Sequence, residues 1–478
     1  MVFNSISYLI FFPTVVGIYF MTSLRFRWVI VLAGSYFFYM SWKPAYGLLL
    51  FAVTFIDWIL ALWMEKFVET SKRKMILVAG IVVNLGALIF FKYFDFISVS
   101  LWGLFSISTP PLIFNIILPI GISFYIFQST AYMIDIYRRK LPPEKNLGKY
   151  AAFVSFFPHL ISGPILIPSS IIPQLHEKKE WKGENIRGGL FLIGVGLIKK
   201  VVIADSLSFL VNTAYYSPAG LSGATLLLAT YFFAFQLYCD FSGYTDIAIG
   251  SAKVLGYQIP DNFRQPYFSK TIAEFWRRWH ISLSTWFRDY FYYPLAFTIS
   301  KYSKKAGVYL GILITFFVVG LWHGAGWTYI LMGSLFGFYI VIGTTTQSFR
   351  ARIASAIGFS RFPFLVKLWK IFFTFNLVSF AWIFFRADSI HTAFTITKNI
   401  FVNFGRLDYS ILSRMDIFFA VFLIVTLVIF DAFESKKSLS KRLASLPWYY
   451  QMAFAYVIVL ILMVLGVQQG PRFIYFQF

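Results

Sequence analysis

The sequence predicts an all-α, polytopic membrane protein, and three observations carry that reading. Hydrophobic residues make up 59% of the 478 residues and charged residues only 13%, which is not the composition of a soluble domain. Apolar runs near or above the ~20 residues that cross a hydrocarbon core recur along the whole chain. Short alternating segments, the mark of a β-barrel, do not dominate. The expectation is one integral membrane domain over residues 1–478, a bundle of about eleven or twelve spans with re-entrant and interfacial segments.

The net charge of +22, from 42 Lys and Arg against 20 Asp and Glu, would suggest nucleic acid in a soluble protein. Here the cations collect in loops, where they set topology and meet the headgroups of membrane lipids, so no nucleic-acid partner is expected. Part of the excess is available to an anionic substrate. The single cysteine, Cys239, excludes an intramolecular disulfide and a CxxC metal site, and its aromatic surroundings read as a small buried apolar residue.

Taken in order, apolar runs fall at residues 6–22, 28–42, 45–64, 75–92 and 112–136. The first has no basic leader and no small-residue cleavage site, so it reads as a retained span. The loops carrying Arg25 and Arg27, then Lys66, Lys72, Arg73 and Lys74, then Arg138, Arg139, Lys140, Lys145 and Lys149 are basic, whereas the turn near Lys43 and Pro44 and the stretch 94–111 are nearly uncharged. The positive-inside rule puts the N-terminus outside and the basic loops, Lys72 and Lys437 included, in the cytoplasm.

Residues 153–175 carry Pro158, Pro164, Pro168 and Pro173, too many for one unbroken helix. They predict a re-entrant segment lining a cavity, with His159 in a structural hydrogen-bonding role. Residues 188–210 are apolar but hold Lys199, Lys200 and Asp205; the plain expectation is a helix breaking the surface with its lysines snorkelling, the sharper one an anionic ligand met by them. Asp240 and Asp246, after the run 225–237, are expected to pair with nearby cations. Later spans fit 307–321, 329–342, 368–385, 417–433 and 453–466, with basic loops at 350–370 and 436–442.

The polar residues of the chain concentrate between Asp261 and Trp327. From Ile272 to Tyr293 there is no Gly or Pro, and Trp276, Trp279, Leu283, Trp286 and Tyr290 recur at helical spacing, with Arg277, His280, Ser284 and Arg288 beside them. This predicts an amphipathic helix at the cytoplasmic interface, its tryptophans in the aromatic belt, with Glu274 and Arg278 as a surface pair. His323 follows an apolar run and is bracketed by Gly320, Gly324 and Gly326. Desolvation there disfavours the charged imidazole and leaves a neutral base able to take a proton from an attacking hydroxyl or thiol. A buried histidine by itself reads as structural; its pairing with the 261–295 stretch turns the reading toward chemistry.

At these residues a family resemblance enters. The strings CDFSGYTDIAIG (239–250), NFRQPY (262–267), EFWRRWHISLSTWFRDYFYYPL (274–295) and GLWHGAGW (320–327) resemble the signature of membrane-bound O-acyltransferases, the MBOAT family. Within it they look most like the bacterial alginate O-acetylases and peptidoglycan O-acetyltransferases, and less like the D-alanyl transferases of teichoic acid synthesis. Scattered agreement, including GISFYIFQSTAYMIDIYR, HLISGPI and GLIKKVVIAD, extends over about residues 118–333. The resemblance implies a bundle crossed by a tunnel in the bacterial cytoplasmic (inner) membrane, with acetyl-CoA as donor substrate on the cytoplasmic side, no tightly bound cofactor, no metal, and an acceptor reached from outside. The motif histidines map onto His280 and His323, the latter catalytic. Trp276, Arg277, Trp279, Ser284, Trp286, Arg288, Trp322, Asp240 and Asn262 are expected to line the tunnel or contact substrate. YYPLAFTIS lacks the expected PLGG, Phe336 stands where close relatives often carry His, and Cys239 stands where Phe is usual, departures that bear on subfamily and acceptor.

The expected function is therefore transfer of an acetyl group from cytosolic acetyl-CoA across the membrane for O-acetylation of an exported polysaccharide such as alginate or peptidoglycan. The outer connections are short for a folded domain and hold no GxSxG, so an extracytoplasmic acceptor or acetyltransferase partner is expected. A proton-coupled transporter or flippase of a cell-envelope precursor is the alternative; it favours inverted repeats, and the sequence shows no such symmetry.

Overall fold

The computed structural model describes residues 1–105, 109–434, 446–467, 470 and 473–474. The basic loop 436–442, Lys437 included, lies outside the described residues. Every regular element among them is helical, and eight helices are long and apolar enough to cross a membrane, as the polytopic expectation requires. The difference from eleven or twelve lies in short helices: Ile6–Met21, Arg27–Met40 and Ile122–Tyr137 have 16, 14 and 16 residues. Nor does the span at 75–92 end at Lys92; a π-helical segment, Ile89–Tyr93, carries Thr70–Leu88 on into Phe94–Leu104, where an uncharged turn is expected.

The described residues form two compact units, the first comprising 1–197, 244–260 and 446–451. Its centre is Ile122–Tyr137, buried on nearly all sides. Buried polar side chains of this unit pair with one another. Gln128 Nε2 donates to His159 Nε2 at 3.1 Å, the ring nitrogen accepting, and Asn84 Nδ2 donates to Asp57 at 3.0 and 3.1 Å. His159 is fully buried, and burial holds its pKa down to about 3, the neutral structural histidine expected. The proline-rich run is broken as its composition predicts: after Leu147–Val154 the backbone is irregular to Ile167 and buried up to Leu166, then Pro168–Ile171 and Pro173–Leu175 form short helical turns; the cavities described below take no lining residue from it.

The second unit, residues 198–243, 261–434 and 452–474 among those described, holds every candidate site residue. Its hairpin of Lys304–His323 and Trp327–Thr345 closes tightly because glycines face each other: a Cβ on Gly333 would stand 2.7 Å from Gly320 Cα and collide with the carbonyl of Phe316. Pro363–Arg386 and Arg414–Glu434 follow. Two π-helical segments, Ile198–Ala204 and Phe287–Tyr292, interrupt this unit. Such segments insert an extra residue into a helix and often mark functional positions.

Candidate active site

The sequence from Ile272 to Tyr293 does not form one amphipathic helix. Ile272–Arg278 starts on Thr271, whose hydroxyl accepts from Glu274 N at 3.1 Å, and Glu274 also pairs with Arg278 at 2.8 Å. It stops where Trp279 turns extended and His280 adopts φ +43°, ψ 55°; Ile281–Trp286 then begins in a new direction. A left-handed non-glycine residue costs free energy and persists only when its surroundings fix it. Here the neighbouring strand-like stretch does so: Ile281 N donates to Asn262 O (2.9 Å), Ser282 N and Oγ donate to Asn262 Oδ1 (3.1 and 2.9 Å), and Arg264 N donates to Arg278 O (2.9 Å). Asn262 thus acts as a brace behind His280.

The break changes what the aromatic periodicity means. Trp276, Trp279 and Trp286 are buried, not set in an interfacial belt. Trp279 packs among Phe263, Phe275 and Trp382, with ring centroids 5.0–5.4 Å apart. Trp276 meets Phe316 and Phe336 edge-on at 5.2 and 5.1 Å, so the ring of Phe336 fills the core at that level. Aromatic pairs of this geometry add to their area burial and make a stiff wall.

His323 is the last residue of its helix and is 2% exposed; His280 is 0% exposed. The indole of Trp322 lies beside both imidazoles, 5.7 Å from His280 and 5.0 Å from His323. Phe241 closes on His280 edge-on at 4.6 Å and Phe385 on His323 at 5.6 Å. Burial, with the nearness of His323 adding to it, holds the pKa of His280 well below the ordinary histidine range, so its imidazole is neutral.

Two cavities flank this pair. One, of about 320 Å³, is polar: Lys200, Asp205, Asp240, Gln236 and Arg386 line it, and Tyr329 and Phe385 bring it up to His323. Lys200 and Asp205 stand five residues apart, and the π-helical turn brings them together. Lys200 Nζ lies 2.6 Å from Asp205 Oδ1 and 2.7 Å from Asp240 Oδ1, with all three side chains at most 5% exposed. Burial pushes Asp205 up to about 6 despite the lysine; at Lys200 burial opposes the charge, but Asp240 and Asp205 together leave its pKa above the ordinary value. The lysines therefore do not snorkel: Lys199 and Lys200 are both buried, and a paired cation costs less inside than an unpaired one. Asp240 pairs as expected and also accepts from Ile474 N at 2.8 Å.

The other cavity, about 440 Å³, is mostly apolar, with Trp276, Arg277, Ser284, Arg288 and Val319 in its wall. Val319 lies one turn before His323 on the same helix. Arg288 is tied to Asp289 by two hydrogen bonds, at 2.7 and 3.0 Å.

Of the residues singled out by sequence, Trp276, Arg277, Ser284 and Arg288 thus line the second cavity, Asp240 lines the first, and Trp322 stands by the two histidines. Trp279, Trp286 and Asn262 line neither and support the wall; His280, His323 and Trp322 also line neither, and reach the cavities only through neighbours such as Phe385, Ile281 and Val319. Sequence reading missed Gln236, Tyr329, Phe385 and Arg386. Their only trace was Arg386 and Asp388 closing an apolar run. Among the described residues no three His, Cys, Asp or Glu side chains gather as a metal site.

An all-helical membrane protein with two buried histidines beside one tryptophan has a clear family counterpart. The profile of the MBOAT, membrane-bound O-acyltransferase family matches residues 141–387, and the chain belongs to that family and is an O-acyltransferase. It is 35% identical to the probable alginate O-acetylase AlgI of Pseudomonas putida over the full length of both chains. To the protein of the same name from Pseudomonas aeruginosa it is 37% identical over 87% of this chain and 78% of the relative. To the peptidoglycan O-acetyltransferase of Helicobacter pylori it is 33% identical over 78% of this chain and 73% of the relative.

Proposed function

We propose that this acyltransferase takes an acetyl group from acetyl-CoA on the cytoplasmic side of a bacterial inner membrane and passes it to a hydroxyl on the other side, for O-acetylation of an exported polysaccharide such as alginate or peptidoglycan. The observation that carries the reading is the buried pair His280 and His323 sharing Trp322, with neighbours of the pair, Phe385 and Val319, in the walls of a polar and an apolar cavity. In the step envisaged, His323 accepts the hydroxyl proton as the oxygen attacks the thioester carbonyl. The C–S bond breaks, and the departing thiolate leaves as the thiol with that proton. His280, neutral and held by the Asn262 brace, orients the reacting groups. Acetyl-CoA is a substrate here, and no tightly bound cofactor is invoked. The names of the relatives support acetyl and a cell-envelope glycan. A cavity of about 320 Å³ beside His323 suits one small acceptor group rather than a polymer, which supports an extracytoplasmic partner that carries the acetyl group onward.

Vesicles with acetyl-CoA inside and acceptor outside test this. Transfer is expected with wild type and a fall of about 10²- to 10⁴-fold with His323→Ala, at unchanged thermal stability. Undiminished transfer by the variant overturns the assignment of the base. Rapid acetylation of polysaccharide with no second protein overturns the partner.

A further inference from the structure

A third cavity of the second unit, about 630 Å³, belongs to no step of that chemistry. Four helices make it: the start of Ile272–Arg278 with the residues before it, the end of Trp327–Thr345, the short Gln347–Ala356, and the start of Pro363–Arg386. From the last, Val366, Trp369, Phe373 and Leu377 present one face; from the short helix and the residue that ends it Arg350, Ile353, Ala354 and Ile357 do, at three- and four-residue spacing. This apolar wall is open: Trp369 is 55% exposed and Ile357 71%.

The polar part of the lining has one sign. Lys270, Arg350 and Lys370 are its charged residues, and it holds no Asp or Glu. Arg350 Nη2 donates to Gly343 O at 2.6 Å, which fixes the guanidinium at the end of the Trp327–Thr345 helix. Among the described residues none of the three cations is in an ion pair with a carboxylate. Arg350 follows the end of Trp327–Thr345 and Lys370 lies near the start of Pro363–Arg386, two helices long and apolar enough to cross a membrane, and Lys270 precedes Ile272–Arg278 beside them. Basic pockets between spanning helices are the usual form of an anionic-headgroup site.

We propose that this cavity binds an anionic phospholipid, its phosphate held by Lys270, Arg350 and Lys370 and its acyl chains laid along Ile353, Trp369 and Phe373. A soluble phosphate would satisfy the cations and leave the apolar wall wet; a zwitterionic lipid would cover the wall and bring a fourth cation to a site that already has three. Ala273 and Ile340 line both this cavity and the apolar one beside Trp276 and Arg277, so the lipid braces the helix that carries those residues.

The test is lipid binding by the purified full-length protein in detergent, followed by native mass spectrometry with phosphatidylglycerol, with phosphatidylcholine of the same chains, and with glycerol phosphate. Phosphatidylglycerol is expected to bind at least about tenfold more tightly than phosphatidylcholine, and the K270Q/R350Q/K370Q variant to lose that preference. Equal binding of the two lipids by wild type, or an unchanged preference in the variant, refutes the site; glycerol phosphate binding as tightly as the lipid refutes the lipid assignment. Should the triple variant not fold, quenching by brominated-chain phosphatidylglycerol decides: wild type must lose more tryptophan fluorescence than Trp369→Phe, and equal losses refute contact at Trp369.

Discussion

Replacing Lys200 by Met removes the one cation that two buried carboxylates share, at 2.6 and 2.7 Å. All three side chains are at most 5% exposed, so bulk water does not replace the lost partner. Breaking a buried pair in this way costs about 3–5 kcal/mol, because a desolvated charge is left behind. With an unfolding entropy of about 2 cal/mol/K per residue, that lowers the melting temperature of a chain this long by about 3–5 °C. The effect carries a pH signature. Asp205 has a folded-state pKa of about 6, above its unfolded value near 3.9. A carboxyl held up in this way contributes stability that is complete below the unfolded pKa and lost as pH rises through the folded one. Without Lys200 the rise is larger, so the loss extends to higher pH, and the deficit of Lys200→Met should be small near pH 5 and grow as pH rises through 8. Adding D205N and D240N removes the charges and should restore most of the stability. Thermal unfolding in detergent across pH 5–8 measures all of this. A deficit below about 1 kcal/mol that is flat in pH would show that the triad does not carry the weight given to it here.

His280→Asn should preserve the fold, because Asn tolerates the left-handed backbone, while His280→Val should cost about 1–2 kcal/mol beyond it, read as a lower melting temperature. Gly333→Ala forces apart the two helices that meet at Gly320; it should lower stability by about 1–3 kcal/mol and reduce acyl transfer by moving His323, and normal transfer would refute that coupling. A cysteine at Lys72 should resist a membrane-impermeant reagent in intact cells and label once the membrane is opened; ready labelling from outside would reverse the topology.

The sequence by itself determined the class. Composition and the length of apolar runs leave little besides membrane helices, because backbone in hydrocarbon must satisfy its own hydrogen bonds. It also placed an interruption within 153–175, where four prolines crowd one apolar run and the structure is irregular over 155–167, although Pro168 and Pro173 there begin short helical turns. His280, His323 and the aromatic stretch around them were legible as a concentration of costly polar groups in an apolar chain. Tertiary structure decided what those groups do together. The periodicity of Trp276, Trp279 and Trp286 reads as one helix, yet hydrogen bonds from residues 262–264, close in space to the break, hold His280 left-handed and turn the tryptophans into core. Lys200 reads as a snorkelling residue until a π turn and a second helix bring Asp205 and Asp240 to it. Local pattern records what a segment can bury; which polar groups meet depends on how the backbone turns between them, as at the π turn joining Lys200 to Asp205, and on contacts such as Lys200 with Asp240 that cross from one helix to another.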